Sequence, residues 1–186
     1  MLIRFRVENF RSIREEQELS LVASPQLSER KETLVHAERY DFDLLRGAAI
    51  YGPNASGKST LFAALDFMQT AVEDSQRKWA PNAGIPRTPF ALDPDAAKEP
   101  SLFVVDLLLD GIRYEYGFVA DSHRVLEDWL HAYPKGRKQE WFTRDAARDQ
   151  EFAFSRHLQG ENRTISGFTR PNSLFLSAAA QSIIPC

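Results

Sequence analysis

Residues Gly52-Pro53-Asn54-Ala55-Ser56-Gly57-Lys58-Ser59 match the pattern G-x-x-x-x-G-K-[ST] without a mismatch. Consecutive backbone N–H groups at a helix N-terminus carry fixed partial positive charge, and a nucleoside triphosphate is a dense anion that such a loop can hold. The pattern therefore points to a bound nucleoside triphosphate. Gly52 and Gly57 let the backbone curl and approach closely, and Pro53, Asn54, Ala55 and Ser56 complete the loop. Lys58 would reach the β and γ phosphates as a point charge. The Ser59 hydroxyl would complete the coordination of a Mg²⁺ ion bridging those oxygens, and Thr60 could donate to the α phosphate.

The flanking sequence supplies the elements such a loop needs. Gly47-Ala48-Ala49-Ile50-Tyr51 is a short apolar run of the kind that makes a buried parallel strand. After the loop, Leu61, Ala64, Leu65, Met68 and Val72 form the apolar stripe of an amphipathic helix. That helix should fade near Arg77 to Trp79, because Pro81, Gly84, Pro86 and Pro89 crowd the next stretch of chain. Upstream, Ile3, Phe5 and Val7 alternate with charged residues as a half-buried strand ending at Asn9-Phe10-Arg11-Ser12. Gln17 to Ala23 reads as a second strand, and Glu32 to Ala37 as a short helix inside a polar excursion.

From Pro100 the period becomes that of strands. Ser101 to Leu109 and Ile112 to Ala120 are joined by Asp110-Gly111, the pair that a type I′ turn prefers. Val125 to Tyr133, Gln139 to Thr143 and Glu151 to Ser155 continue as antiparallel strands. Ser173 to Ser177 reads as a further short strand, and Ala178 to Ile184 as the start of a helix.

Hydrolysis needs more than the loop. It requires a carboxylate to hold the metal, usually at the end of a buried apolar strand. Leu102-Phe103-Val104-Val105-Asp106 offers one such carboxylate, Asp106, as the candidate catalytic residue. The extended pattern nevertheless runs straight through it to the Asp110-Gly111 turn, so Asp106 reads as a mid-strand residue on the solvent face of a hairpin. The four histidines, His36, His123, His131 and His157, have no close ligand spacing, and no G-x-S-x-G elbow surrounds a serine. The basic turn Lys135, Arg137 and Lys138 beside Trp141 reads first as a solvated hairpin tip.

The 186 residues fit one domain, and 43% hydrophobic residues suffice for a core. No apolar stretch has the length of a membrane span, and the N-terminus lacks the apolar centre of a signal peptide, so the expected location is cytoplasmic. The single cysteine, Cys186, excludes an internal disulfide framework. A net charge of -3 gives no global electrostatic signature of nucleic-acid binding.

The opening strand with Asn9-Phe10-Arg11-Ser12, the second strand and the loop from Gly52 to Thr60 together resemble the N-terminal lobe of the RecF, SMC and OLD-type branch of ABC-class ATPases. The likeness is strongest to the bacterial AAA-family ATP-binding proteins of that branch. Asp110-Gly111-Ile112-Arg113-Tyr114-Glu115-Tyr116-Gly117-Phe118, Val125-Leu126-Glu127-Asp128-Trp129-Leu130 and Asn172-Ser173-Leu174-Phe175-Leu176-Ser177 are also similar to that group. The resemblance implies that two ATPase modules sandwich ATP between the phosphate loop of one and a signature motif of the other. It carries Lys58, Ser59 and Thr60 over as phosphate and Mg²⁺ contacts, Asn54 as a residue near the γ phosphate, and Arg11 and Ser12 as residues near the nucleotide. A Leu-Ser-Gly-Gly signature and an Asp-Glu pair closing an apolar strand are missing from the 186 residues. Relatives place both in a C-terminal lobe.

The expected fold is accordingly an α/β P-loop NTPase resembling an incomplete ABC-ATPase lobe, with a mixed sheet and an antiparallel β subdomain. Residues 1–80 would form the ATP-binding core, 81–99 a proline-rich connector, and 100–186 the antiparallel subdomain with the start of a helix. The expected function is ATP binding, with hydrolysis in the complete or dimerised protein and a DNA-related or phage-defence task. Expected partners are a second ATPase module, a C-terminal lobe, and a DNA, nuclease or effector partner, without a membrane. Two other readings stand beside this one: a self-contained P-loop kinase or NTPase using Asp106, and a non-catalytic nucleotide-binding remnant.

Overall fold

In the computed structural model, which describes residues 1–24, 26 and 32–182, a seven-stranded sheet carries its helices on one face. Strand β1 (Leu2–Glu8) lies between β2 (Gln17–Ser20) and β5 (Ser101–Leu109). The order continues through β6 (Ile112–Ala120), β7 (Val125–Ala132), β8 (Gln139–Asp145) and β9 (Phe152–Phe154). A separate hairpin pairs β3 (Leu34–His36) with β4 (Asp43–Leu45) and joins the rest through a bridge between Val22 and Leu44.

The alternation in β1 does what its sequence dictates. Ile3, Phe5 and Val7 are buried, while Arg4 and Glu8 are exposed. Across the sheet, Phe5, Val105, Tyr116, Leu130 and Phe142 are successive register partners and line the core face. Helix α1 (Lys58–Lys78) packs on that face, burying Ala64, Met68 and Ala71. Helices α2 (Asn162–Phe168) and α3 (Phe175–Ser182) close the far end. Asp110 at φ 50° and Gly111 at φ 71° make the turn between β5 and β6, with both central residues left-handed as a type I′ turn requires.

Four expectations are corrected. Every pairing in the seven-stranded sheet is antiparallel, so the sheet is not mixed. Gly47–Tyr51 forms no strand, because no described residue pairs with its backbone. Of the short helix expected at Glu32 to Ala37, Glu32 and Thr33 are in a 3-10 turn, while Leu34–His36 form strand β3, where pairing with β4 and a 2.6 Å contact from His36 Nδ1 to Asp43 Oδ1 override local helix preference. Ser173 to Ser177 is not a strand, since α3 begins at Phe175. The Phe175 N–H donates to Asp128 Oδ2 at 2.8 Å, so a carboxylate from β7 caps α3 from 47 residues away. Ile183, Ile184 and Cys186 lie outside the described residues.

On the opposite face of the sheet, Trp129 lies flat over Gly117. A Cβ built at Gly117 would stand 2.4 Å from Trp129 Cζ2, and the indole Nε1 donates to Glu115 Oε1 at 3.3 Å, which holds the ring in place. Gly117→Ala is expected to lower stability by about 1–3 kcal/mol in urea denaturation, through overpacking against a held ring. Adding Trp129→Leu to that variant should recover part of the loss.

Candidate nucleotide-binding site

The loop's shape comes from two glycines and one lysine. Gly57 stands at the start of α1 with φ 88°, a conformation that residues with a Cβ adopt only under strain, and the Thr60 and Leu61 amides donate back to its carbonyl. A Cβ at Gly52 would come within 2.9 Å of Ser56 Oγ, so the curl leaves little space there. The Ser56 amide donates to Pro53 O at 3.3 Å, and Ala55 between them has φ 65°. Lys58 Nζ folds back over the loop and donates to Gly52 O at 2.8 Å and Pro53 O at 2.7 Å, with Ser56 Oγ at 3.4 Å.

This arrangement leaves donors free. Among the described residues, the amides of Gly57, Lys58 and Ser59 donate to no protein acceptor, as expected for the first turn of a helix. No acidic side chain occupies that turn, while Arg77 and Lys78 stand in the last turn, so the macrodipole's positive end meets the loop uncompensated. The Ser59 side chain is exposed with no hydrogen-bond partner among the described residues. These are the features that a bound polyphosphate and its metal need.

A cleft of about 490 Å³ opens in front of the loop. Gly52, Pro53, Ser56, Gly57 and Lys58 line one wall, and Ser12 lines the other. Ser12 reaches the loop because the turn after β1 is pinned. Asn9, buried and left-handed at φ 51°, donates through Nδ2 to the carbonyls of Ala96 (2.7 Å) and Glu99 (2.8 Å), and its Oδ1 accepts from the Phe90 amide. From that turn, Ser12 Oγ lies 2.7 Å from Thr60 Oγ1. Thr60 is thus engaged by Ser12. Arg11 is exposed at φ 50°, with its guanidinium 5.4 Å from the Phe10 ring centroid. Arg11, Asn54, Ala55, Ser59 and Thr60 do not line the cleft itself.

The opposite wall holds residues that the sequence did not single out. Ile13 and Arg14 come from the turn after β1, Gln17 and Glu18 from the start of β2, and Ile50, Tyr51 and Leu61 flank the loop. Arg14 is tied to Asp93 at 2.7 Å, and Glu18 stands 4.0 Å from Arg4. The one usable signal for them was the position of Ser12 in the resemblance, which places its neighbours at the same cleft.

Asp106 is elsewhere. It sits mid-strand in β5, in register with Arg4 and Glu115, so its side chain points to the face away from α1. It is also not on a solvent face as expected, being 4% exposed. Arg113 covers it with both Nε (3.2 Å) and Nη2 (3.1 Å to each oxygen). Burial raises its pKa, although the Arg113 charge draws it down. The same face carries Glu115, which accepts from His131 Nδ1 at 3.0 Å and from the Trp129 indole. Those hydrogen bonds, His131's first, hold the Glu115 pKa down to about 2 against the effect of burial. No group of three or more His, Cys, Asp or Glu among the described residues is arranged to hold a metal ion.

The family described as "AAA domain, putative AbiEii toxin, Type IV TA system" matches residues 48–181, well over half of the chain. The chain belongs to that AAA-domain family. Its match begins one residue into the Gly47–Tyr51 segment and takes in the loop, α1 and the strands from β5 to β9. No curated protein matches the chain. Membership in an AAA-domain family accords with nucleotide binding, and no helix among the described residues is long and apolar enough to cross a membrane.

The face that carries Asp106 can be tested separately from the loop. Asp106→Asn is expected to lower stability by about 1–3 kcal/mol, because Arg113 loses the closer of its two acidic partners, Glu115 being at 3.8 Å, while nucleotide affinity stays unchanged in the same preparation. Glu115 has a folded pKa below its ordinary 4.5, so the stability it contributes is present above that value and lost as pH falls toward 2. Melting temperatures measured across that range should fall less steeply for Glu115→Gln than for the parent chain.

Proposed function

We propose that this chain binds ATP with Mg²⁺ through residues 52–60, as an ABC-type module of the AAA-domain family. The observation that carries the reading is the Lys58 ammonium folded over loop carbonyls beside three unpartnered amides at the start of α1. In this reading Gly57, Lys58 and Ser59 amides bind phosphate oxygens, and the Lys58 ammonium lies against the β and γ groups. The Ser59 hydroxyl is the group of the loop that would hold the metal. Mg²⁺ held there would supply screening of the phosphate charge and polarisation of the phosphate oxygens. Ser12, fixed against Thr60, holds the wall opposite the loop, and Arg11 and Asn54 stand beside the bound nucleotide.

Hydrolysis belongs to an assembly in which a second module closes over the loop. The chain's own cleft contains one carboxylate, Glu18, which stands near Arg4 and is turned to no metal ligand set. A carboxylate to hold the metal and a group to orient water would then come from outside the residues that line this cleft. The family description names a toxin and a type IV toxin–antitoxin system, which supports a defence role, with DNA, a nuclease or another effector as the further partner.

A fluorescent ATP analogue titrated in Mg²⁺ tests the binding step. The parent chain should bind and show a rise in melting temperature with ATP. Lys58→Ala should weaken binding by about tenfold or more, roughly 1.4 kcal/mol, with the nucleotide-free chain still folded and its melting temperature lowered only by the loss of the exposed hydrogen bonds to the Gly52 and Pro53 carbonyls. Ser59→Ala should reduce the gain in affinity that Mg²⁺ brings. Equal affinity of the parent and Lys58→Ala chains would remove the proposal.

A further inference from the structure

Behind the turn that carries Ser12 lies a cation in an uncommon setting. Arg87 is 8% exposed, yet its guanidinium forms no ion pair among the described residues. Its partners are two hydroxyls: Nη1 donates to Ser101 Oγ at 2.9 Å and Nη2 to Ser122 Oγ at 3.2 Å, while Nε has no partner among the described residues. Burial draws its pKa below the ordinary arginine value, with the Asp121 charge acting the other way. A cation buried without an acid in contact costs stability, and an apolar side chain of similar size would fill the same space at less cost. The reason for an arginine is therefore to be sought in what the two hydroxyls hold.

The Ser101 arm leads toward the cleft. Ser101 is fully buried and gives its one hydroxyl proton to Asn9 O, so toward Arg87 it can only accept. The chain of donors thereby runs from guanidinium to hydroxyl to the carbonyl of Asn9, the left-handed residue that starts the turn after β1, and each link polarises the next. The segment that bears Arg87 grips the same turn twice more. The Arg11 amide donates to Thr88 O at 2.7 Å, and the Phe90 amide donates to Asn9 Oδ1 at 2.9 Å. The Ser122 arm leads elsewhere, to the turn between β6 and β7, where the Ile85 amide also donates to Ser122 O at 3.0 Å.

We propose that Arg87 is a positioning residue for the bound triphosphate, setting the Asn9–Ser12 turn through Ser101 so that Ser12 meets Thr60 beside the phosphate loop. This role rests on the nucleotide reading above and adds to it a residue that lines no part of the cleft. Arginine suits the place because its planar fork reaches two hydroxyls at a fixed separation, which the single ammonium of a lysine does not. Without the fork the turn loosens, Ser12 parts from Thr60, and the wall facing the loop loses its height.

Affinity for a fluorescent ATP analogue in Mg²⁺, measured beside the melting temperature of each nucleotide-free chain, tests the role. Arg87→Met should weaken binding by about tenfold while the melting temperature is kept or raised, since a buried charge is removed. Ser101→Ala should weaken binding similarly and Ser122→Ala should leave it unchanged, whatever each does to stability; this pair carries the test if Arg87→Met does not fold. In a Ser12→Ala background Arg87→Met should have no further effect on affinity, because its action passes through Ser12. Amide exchange at Arg11 should quicken in Arg87→Met without any nucleotide. Equal affinity of the parent and Arg87→Met chains overturns the proposal. So does an equal loss in Ser101→Ala and Ser122→Ala, which would mean that Arg87 only fastens its own segment, or a loss that persists in full in the Ser12→Ala background. A parent chain that binds no analogue removes the nucleotide reading and this role with it, and quickened exchange at Arg11 would then mark a purely structural link.

Discussion

Four aromatic rings hold α1 against the turn after β1 and the sheet. Phe10, at the end of β1, packs against Phe67 of α1 at 5.5 Å and against Phe103 of β5 at 5.4 Å. Phe67 and Phe103 are 5.0 Å apart, and Phe103 stacks on Phe118 of β6 at 5.0 Å. Each such pair contributes on the order of 1 kcal/mol beyond the area it buries, and together they join helix, turn and sheet in one rigid contact. Since Phe10 and Ser12 share a turn, the cluster that anchors α1 also sets Ser12 against Thr60. Loss of that cluster would let the helix slide and the two walls of the cleft separate.

The other end of α1 is held by polar contacts. The Leu174 amide donates to Ser75 Oγ at 3.0 Å, the Gln76 amide donates to Ser177 Oγ at 3.0 Å, and Gln76 Nε2 donates to Phe168 O. Ser75, Ser173 and Ser177 are fully buried, and every one of these hydroxyls has a partner, as burial demands. A helix of 21 residues is about 30 Å long, so one rod joins the loop to the α3 junction. Asp128, buried beneath that junction, has its pKa pushed up to about 6 by desolvation, with the Phe175 amide pulling the other way. Its contribution to stability is full below its ordinary 3.8 and is lost as pH rises through 6, opposite in sign to that of Glu115. The two faces of the sheet are therefore stabilised in opposite directions of pH.

The parts of this structure that were legible in the sequence are those governed by local rules. The β5–β6 hairpin has the expected bounds because Asp110-Gly111 imposes its own turn geometry, and α1 stops at Lys78 where Pro81 and its neighbours deny it further hydrogen bonds. The loop was legible as a motif, one half of the cleft. Its other wall, Ile13 to Glu18, is made by contacts across about forty residues, which no local pattern encodes. The errors share a cause. Phe175 enters a helix because Asp128 caps it from a distant strand, Leu34–His36 extends because β4 lies beside it, and Asp106 is buried because Arg113 folds over it. Each depends on a partner remote in sequence.

Asp106 also shows why a carboxylate after an apolar run is not by itself a metal ligand. Moving it to the loop would turn it through the sheet and break its contacts with Arg113, leaving that cation, 25% exposed, with the more distant Glu115 at 3.8 Å. Removing the hydrogen-bonded partner of a partly buried charge in this way costs about 1–3 kcal/mol. Arg113 has a second engagement, 4.4 Å from the Tyr133 ring, and the hydroxyl of Tyr40 accepts from its amide, so the group is fixed from several sides. A residue held so firmly on the far face serves the sheet. The cleft in front of Lys58 thus receives nothing from Asp106, and its own lining carries Lys58 opposite Ser12.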